Sequence, residues 1–151
     1  MSDTSRHRAG DSAELSGALS EGPLVTEGPG LLVMDVDSTL IEQEVIELIA
    51  QRAGTRELVA EVTARAMRGE LDFAASLRER VATLAGVSQE VFAEVLAEVR
   101  PTEGAAELIE ALHARGCRVG VVSGGFEEVV VPLAERLGID HVAANRLEGA
   151  G

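Results

Sequence analysis

The sequence has 151 residues, of which 46% are hydrophobic, enough for one domain with a buried core. Acidic residues outnumber basic ones by 26 to 13, and aromatic residues make up 2% of the chain. Because the net negative charge would repel a phosphate backbone and few rings could stack on bases, we do not expect the protein to bind nucleic acid. No apolar run approaches the roughly 20 residues that span a bilayer, and no signal-peptide pattern follows the N-terminus. The single cysteine, Cys117, excludes an internal disulfide. We therefore predict a cytoplasmic protein without a membrane partner; its oligomeric state is left open.

The first elements in chain order are a tail, a strand and a helix. Residues 1–29 are rich in Ser, Gly and acidic side chains, which predicts a disordered tail. The continuous apolar run 31–36 after Pro29 and Gly30 is typical of a strand buried on both faces. Apolar residues then recur at helical spacing from Ile41, and Gly54 is the predicted stop.

The rest of the chain alternates between helices and strands. Residues 55–100 lack a strand-like run and predict three helices, and a helix over 103–115, a strand over 117–122, a helix over 126–137 and a strand over 141–144 follow. This order predicts an α/β fold, a doubly wound parallel sheet with a helical cap inserted after the first strand. The core would consist of residues 30–54 and 101–151, and the cap of residues 55–100.

Two aspartates mark the carboxyl end of the first predicted strand. Asp35 and Asp37 are two residues apart, so in extended chain they can point the same way, at the place where open α/β sheets bind ligands. One carboxylate could act as a nucleophile and Mg²⁺ ligand, and the other could transfer protons. The alternative is that the pair only caps a turn.

A glycine-rich segment marks the same end of the second predicted strand. Ser123, Gly124 and Gly125 lie where a helix is predicted to start, and free backbone N–H groups there attract anions. A plain tight turn is the alternative for this segment alone. Because the ends of neighbouring parallel strands meet at one edge of a sheet, the two segments together favour a phosphate site.

These segments resemble motifs of the haloacid dehalogenase-like hydrolases, in the D-x-D-S-T form typical of the phosphoserine phosphatases. The resemblance covers about residues 30–148. The segments that carry it, besides Glu44, are Asp35-Val36-Asp37-Ser38-Thr39-Leu40, Ala66-Met67, Phe73, Ser76-Leu77-Arg78-Glu79-Arg80-Val81, Pro101-Thr102-Glu103-Gly104-Ala105, Val121-Val122-Ser123-Gly124-Gly125-Phe126 and Ala144-Asn145-Arg146-Leu147.

The resemblance implies catalytic roles for the two strand ends. By it, Asp35 is the nucleophile that forms an aspartyl-phosphate and ligates Mg²⁺. Asp37 is the general acid and base and offers its backbone carbonyl to the metal. Ser123 and Gly124 correspond to the second family motif, which binds the transferring phosphoryl group.

The resemblance also implies a substrate pocket under the cap. By it, Glu44 and Arg80 hold the amino and carboxylate groups of phosphoserine, and Met67 and Phe73 line the pocket. Helical spacing independently places Arg80 beside the apolar stripe of its helix, three residues after Leu77. An interhelix salt bridge is the alternative for Arg80, and a solvated helix face is the alternative for Glu44.

The implied function is Mg²⁺-dependent hydrolysis of O-phospho-L-serine, the last step of serine biosynthesis. The alternatives are a related phosphatase or phosphotransferase for another small amino-bearing phosphate, and a truncated, non-catalytic remnant. The 151 residues include no lysine for the third family motif and no G-D-G-x-x-D segment for the fourth. We therefore expect this chain to match the front part of the family fold, without the C-terminal strands. One side of the first strand would be an open edge, and activity would be weak or absent.

Overall fold

A computed structural model describes residues 22–147 of the chain. Within that range no helix is both long and apolar enough to cross a membrane. The strands are β1 (Leu31–Met34), β2 (Arg118–Phe126) and β3 (His141–Asn145). The helices are α1 (Pro23–Thr26), α2 (Val45–Ala53), α3 (Arg56–Met67), α4 (Phe73–Ala82), α5 (Glu90–Glu98), α6 (Ala105–Ala114) and α7 (Glu127–Leu137).

The three strands form a parallel sheet in the order β1-β2-β3, with helices α6 and α7 packed against it. This confirms the predicted α/β fold. β1 is at the edge of the described sheet, and its Leu31 and Val33 are 53% and 51% exposed. The expected open edge of the first strand is therefore present in the described part of the chain. The carboxyl ends of all three strands meet at one side of the sheet, because the strands run in the same direction.

Helices α2 to α6 lie between β1 and β2 in the chain. Three of them fall within residues 55–100, as the apolar spacing predicts. Helix α3 packs against α4, whereas α5 packs against α2 and against α7. The buried Ile49 of α2, Val95 of α5 and Val129 of α7 belong to one hydrophobic core. The third inserted helix is therefore packed on the α/β core.

Two element boundaries differ from the sequence predictions near the ends of the strands. The first long helix begins at Val45 and not at Ile41, because Ile41 forms an isolated antiparallel bridge with Pro101. The second strand continues to Phe126, with an irregular register after Val122, where a turn into a helix was predicted. Both differences extend the irregular backbone at the carboxyl ends of the strands, where Asp35 and Asp37 lie.

Most of the predicted disordered tail, residues 1–21, lies outside the described residues. Within the rest of that tail, Pro23–Thr26 forms one helical turn that was not predicted. The N–H of Thr26 donates to the Gly22 carbonyl at 3.1 Å, and Pro23 at the first helical position fixes φ near the helical value.

Candidate active site

Asp35 and Asp37 lie in the segment that follows β1, at the carboxyl end of the sheet. The Asp35 carboxylate accepts a hydrogen bond from the Val36 N–H at 2.7 Å. A wide turn over Val36–Leu40 follows and is closed by the Ile41 N–H, which donates to the Val36 carbonyl at 3.0 Å. Val36 and Leu40 are buried, and so they anchor this turn in the core. The polar residues between them are thereby held above the sheet.

A cavity of about 230 Å³ lies at the carboxyl end of the sheet, under helix α4. It is lined by six of the eight residues that the sequence singled out, drawn from four separate segments. The lining residues are Asp35, Asp37, Glu44, Ile46, Phe73, Leu77, Arg80, Gly124, Gly125 and Phe126. The cavity therefore brings together both predicted catalytic residues and four of the six predicted substrate-binding residues; Met67 and Ser123 are not among the residues that line it.

Asp37 is the electrostatically unusual group of the cavity. Its pKa is raised from 3.8 to about 6, mainly by burial and to a smaller extent by the negative charges of Glu44 and Asp35. A backbone hydrogen bond from Val45 and the positive charge of Arg80 act on this pKa in the opposite direction. The buried Oδ1 of Asp37 has no hydrogen-bond partner among the described residues. Such a carboxyl can hold a proton near neutral pH and has an oxygen free for a ligand.

Glu44 and Arg80 supply opposite charges to the same cavity. Glu44 accepts a hydrogen bond from the Ser38 hydroxyl at 2.6 Å. Arg80 is half-buried, and its Nε donates to the Ser76 carbonyl at 3.4 Å. The ion pair between α3 and α4 joins Arg65 to Glu79 at 2.6 Å, so it does not use Arg80. The guanidinium of Arg80 is thus available to a ligand carboxylate.

The glycine-rich segment lies directly beside Asp37. Ser123 is buried, and its Oγ accepts a hydrogen bond from the Gly125 N–H at 2.9 Å. A Cβ on Gly125 would lie 3.0 Å from Ser123 Oγ and 4.0 Å from Asp37 Oδ2. A Cβ on Gly124 would lie 3.2 Å from the Phe73 ring. Glycine at both positions keeps space for a small anion between the two strand ends.

Sequence reasoning assigned no role to Asn145, which holds the glycine-rich segment in place. Its Nδ2 donates to the Gly124 carbonyl at 3.0 Å from the end of β3. The sequence signal was present, because Asn145 is one of the residues that carry the family resemblance, but a hydrogen bond between strand ends is not visible in one dimension. Ile46 and Leu77 also line the cavity without having been assigned to the site.

Met67 does not line the cavity, contrary to what the resemblance implies. It is the last residue of α3 and is 85% exposed. That helix buries Val59 and Val62 instead, so its apolar contacts are made nearer its start. Phe73 is also exposed, at 69%, but its ring lies over Gly124 and contributes to the cavity.

The oxygen atoms at this site suit a divalent cation such as Mg²⁺, which would be bound partly by the protein and partly by the oxygens of a phosphate ligand. Among residues 22–147 there is no group of three or more His, Cys, Asp or Glu side chains arranged to hold a metal. Asp35 and Asp37 nevertheless line one cavity, and Asp37 has an unpartnered oxygen. Mg²⁺ typically binds through one or two carboxylates together with water and substrate phosphate oxygens.

Comparison with known proteins assigns the family. Residues 32–151 match the haloacid dehalogenase-like hydrolases, and the chain belongs to that family. It is 56% identical over 124 residues to a phosphoserine phosphatase of Streptococcus thermophilus, covering 82% of this chain and 58% of that protein. It is 58% identical over 118 residues to a phosphoserine phosphatase of Lactococcus lactis, covering 78% and 55% of the two chains.

Solved structures agree with the sequence comparison. The chain resembles a substrate-bound phosphoserine phosphatase complex with a TM-score of 0.73 and 43% identity. A phospho-aspartyl intermediate analogue of phosphoserine phosphatase gives a TM-score of 0.73 at 44% identity. Each match covers 80% of this chain and 58% of the other. The chain thus spans a little over half the length of these relatives.

Proposed function

We propose that the protein hydrolyses O-phospho-L-serine to L-serine and phosphate. The observation that carries the proposal is that two strand-end aspartates, a glycine-rich segment, Glu44 and Arg80 all line one cavity. The 56% identity to a phosphoserine phosphatase supports this substrate. L-Serine biosynthesis, in the cytoplasm, would be the setting, and the buried free thiol of Cys117 suits a reducing compartment.

In the proposed first step, a carboxylate oxygen of Asp35 attacks phosphorus and the bond to the serine oxygen breaks. The Asp37 carboxyl gives its proton to that leaving oxygen. A pKa of about 6 suits this role, because the group can be protonated near neutral pH and can also release the proton. In the second step, Asp37 takes a proton from water, which attacks the phosphoaspartate and releases phosphate. Asp35 is then regenerated as a carboxylate.

The charges of the cavity match the substrate. Phosphoserine carries an ammonium and a carboxylate, which would bind Glu44 and Arg80 respectively. A guanidinium can donate two parallel hydrogen bonds to a carboxylate. The phosphoryl group would lie between Asp35 and the segment that contains Ser123 and Gly124, and Phe73 would cover it from the cap.

The proposed metal is Mg²⁺, held by the carboxylate of Asp35 and by Asp37. It would offset the negative charge of the phosphoryl group beside two aspartates. The residues present fit that ion, because Asp35 supplies a carboxylate to the cavity, the backbone carbonyl of Asp37 is the second protein oxygen that the resemblance implies, and Mg²⁺ takes its remaining ligands from phosphate oxygens and water.

The deciding experiment is to trap the phosphoenzyme in the protein at its natural full length. After rapid acid quench with phosphoserine, mass spectrometry should show one added phosphoryl group on the peptide that contains Asp35. Asp35→Asn should abolish both turnover and this adduct, because the amide is not a nucleophile. An adduct that persists in Asp35→Asn would overturn the assignment. Asp72→Asn, which removes a helix-capping carboxylate outside the cavity, is the matched control.

A further inference from the structure

Ser38 has a backbone conformation that sets it apart from its neighbours. It is the single non-glycine residue with positive φ in the described part of the chain, at φ 53° and ψ 18°. The left-handed region is unfavourable for an L-residue other than glycine, because Cβ comes close to the following carbonyl oxygen. Such strain persists only when the surrounding structure fixes it, and it is concentrated at functional sites.

Backbone and side-chain hydrogen bonds around Ser38 hold its left-handed conformation. Its N–H donates to the Gln43 carbonyl at 3.2 Å, which closes a loop between the two residues. Behind the loop, Thr102 donates from its hydroxyl to the Thr39 carbonyl at 2.6 Å and from its N–H to the Leu40 carbonyl at 2.9 Å. The backbone of the loop is thus held from both sides, and the left-handed turn aims the Ser38 side chain at Glu44.

The Ser38 hydroxyl donates to Glu44 Oε1 at 2.6 Å, a length typical of a hydroxyl bound to a charged carboxylate. Glu44 precedes α2 with an extended backbone, and its side chain makes no capping bond to that helix. Among residues 22–147, Ser38 provides the one hydrogen bond that the Glu44 carboxylate accepts. An exposed glutamate otherwise samples many rotamers, so a hydrogen bond that holds one of them lowers the entropy lost when a ligand binds. Ser38 therefore sets the direction of Glu44 before any ligand arrives.

We propose that Ser38 is a positioning residue for recognition of the substrate ammonium. Its hydroxyl holds Oε1 of Glu44 and leaves Oε2 for the ammonium, opposite the guanidinium of Arg80. The inference rests on the proposed function, since it assumes that Glu44 binds an amino-bearing phosphate. Ser38 would not touch the reacting atoms and would act through Glu44 alone.

Two variants separate the hydroxyl from the backbone. Ser38→Ala removes the hydroxyl and keeps the strained Cβ, whereas Ser38→Gly removes the hydroxyl and relieves the strain. In the protein at its natural full length, both should lower kcat/KM for phosphoserine by about three- to tenfold, the loss expected for one hydrogen bond. The change should appear mainly as a higher KM, because the contact orients the bound substrate and not the transferring phosphoryl group.

Three substrates show whether the loss concerns the ammonium. O-Phosphoethanolamine keeps the ammonium and lacks the carboxylate, and it should suffer the same loss as phosphoserine. 3-Phosphooxypropanoate keeps the carboxylate and lacks the ammonium, so its kcat/KM should fall much less. Equal losses on all three substrates, or no loss on any, would show that Ser38 is merely structural or irrelevant and would overturn the inference.

A double-mutant cycle with Glu44→Gln completes the test. If Ser38 acts through Glu44, adding Ser38→Ala to Glu44→Gln should cause no further loss on phosphoserine. Additive losses would overturn the inference while leaving the proposed function intact. If Glu44→Gln itself leaves the preference for phosphoserine over 3-phosphooxypropanoate unchanged, the proposed ammonium site is wrong, and the role of Ser38 is overturned with it.

Discussion

Two aspartates at opposite edges of the same sheet have contrasting surroundings. Asp140 precedes β3, and its carboxylate accepts from the Val119 N–H at 2.9 Å, from Arg118 at 2.7 Å and from His113 Nε2 at 2.9 Å. Asp37 follows β1 at the other edge, and its buried Oδ1 has no partner within the described residues. One carboxylate is fully hydrogen-bonded, and the other is left incomplete.

Their acidities differ accordingly. Hydrogen bonds from the Val119 N–H, Arg118 and His113 hold the pKa of Asp140 below its ordinary value of 3.8. Burial and two neighbouring carboxylates raise the pKa of Asp37 to about 6. A carboxylate whose charged form is hydrogen-bonded contributes to stability, whereas a desolvated carboxylate with an unpartnered oxygen costs stability and is available to a ligand. The comparison distinguishes the aspartate that stabilises the fold from the aspartate that we propose takes part in catalysis.

The largest expected effect comes from exchanging each aspartate for asparagine. Asp37→Asn should lower kcat on phosphoserine by about 10²- to 10⁴-fold, because both proton transfers lose their carrier. Asp140→Asn is an equally conservative change far from the cavity and should leave kcat within about threefold below the melting temperature. Steady-state assays of both variants test the contrast. Comparable kcat losses in the two would mean that Asp37 has no special chemical role.

A second effect concerns the arginine on the cavity wall. Arg80→Ala should lower kcat/KM for phosphoserine by roughly ten- to a hundredfold, since one charge-assisted contact is lost. The matched control is Arg78→Ala, because Arg78 is exposed on the same helix and does not line the cavity. An aryl phosphate, which lacks the carboxylate, should be much less affected by Arg80→Ala. Equal losses on both substrates would indicate a structural role for Arg80.

A third expected effect is on the melting temperature, to which the hydrogen-bonded Asp140 should contribute more than an exposed ion pair does. Asp140→Asn should lower the melting temperature near pH 7 more than Glu127→Gln, which breaks an exposed pair with Arg146. Because the folded-state pKa of Asp140 is depressed, its contribution is present above pH 3.8 and is lost as the pH falls below that value. Calorimetry of both variants against pH measures the difference. A Glu127→Gln protein that melts lower than Asp140→Asn would contradict the assignment.

The sequence predicted the fold more completely than it predicted the candidate site. Apolar runs and helical spacing sufficed to predict the parallel sheet. The expected burial of the first strand on both faces was wrong for the described part of the chain, because β1 is an edge strand there and Leu31 and Val33 are exposed, whereas β2 is largely buried. Asp35 and Asp37 were selected by their position at a strand end, and both line the cavity; their catalytic roles stay predictions. Helical spacing predicted Arg80 beside the apolar stripe of its helix, and the structure shows it lining the cavity; its contact with a substrate carboxylate stays a prediction.

The parts that failed depend on contacts between distant segments. Ile41 was assigned to a helix because the bridge to Pro101 joins residues that are far apart in sequence. Met67 was placed in the pocket by resemblance, although it lies at the exposed end of α3. Ser38 received no role of its own, since its left-handed backbone and its bond to Glu44 are features of tertiary geometry.

The smallest effect is a shift in one titration. In metal-free protein, carboxyl carbon NMR should show Asp37 titrating near pH 6, about two units above its ordinary 3.8. Glu44→Gln should lower this midpoint, because it removes a neighbouring negative charge, whereas Glu42→Gln, outside the cavity, should not. Since the folded-state pKa is raised, the contribution of Asp37 to stability is greatest below pH 3.8 and is lost as the pH rises through about 6. Asp37→Asn should therefore melt at a higher temperature than the unchanged protein above pH 6, the reverse of Asp140→Asn. A midpoint near 4, or a lower melting temperature for Asp37→Asn, would remove the contrast between the two carboxylates.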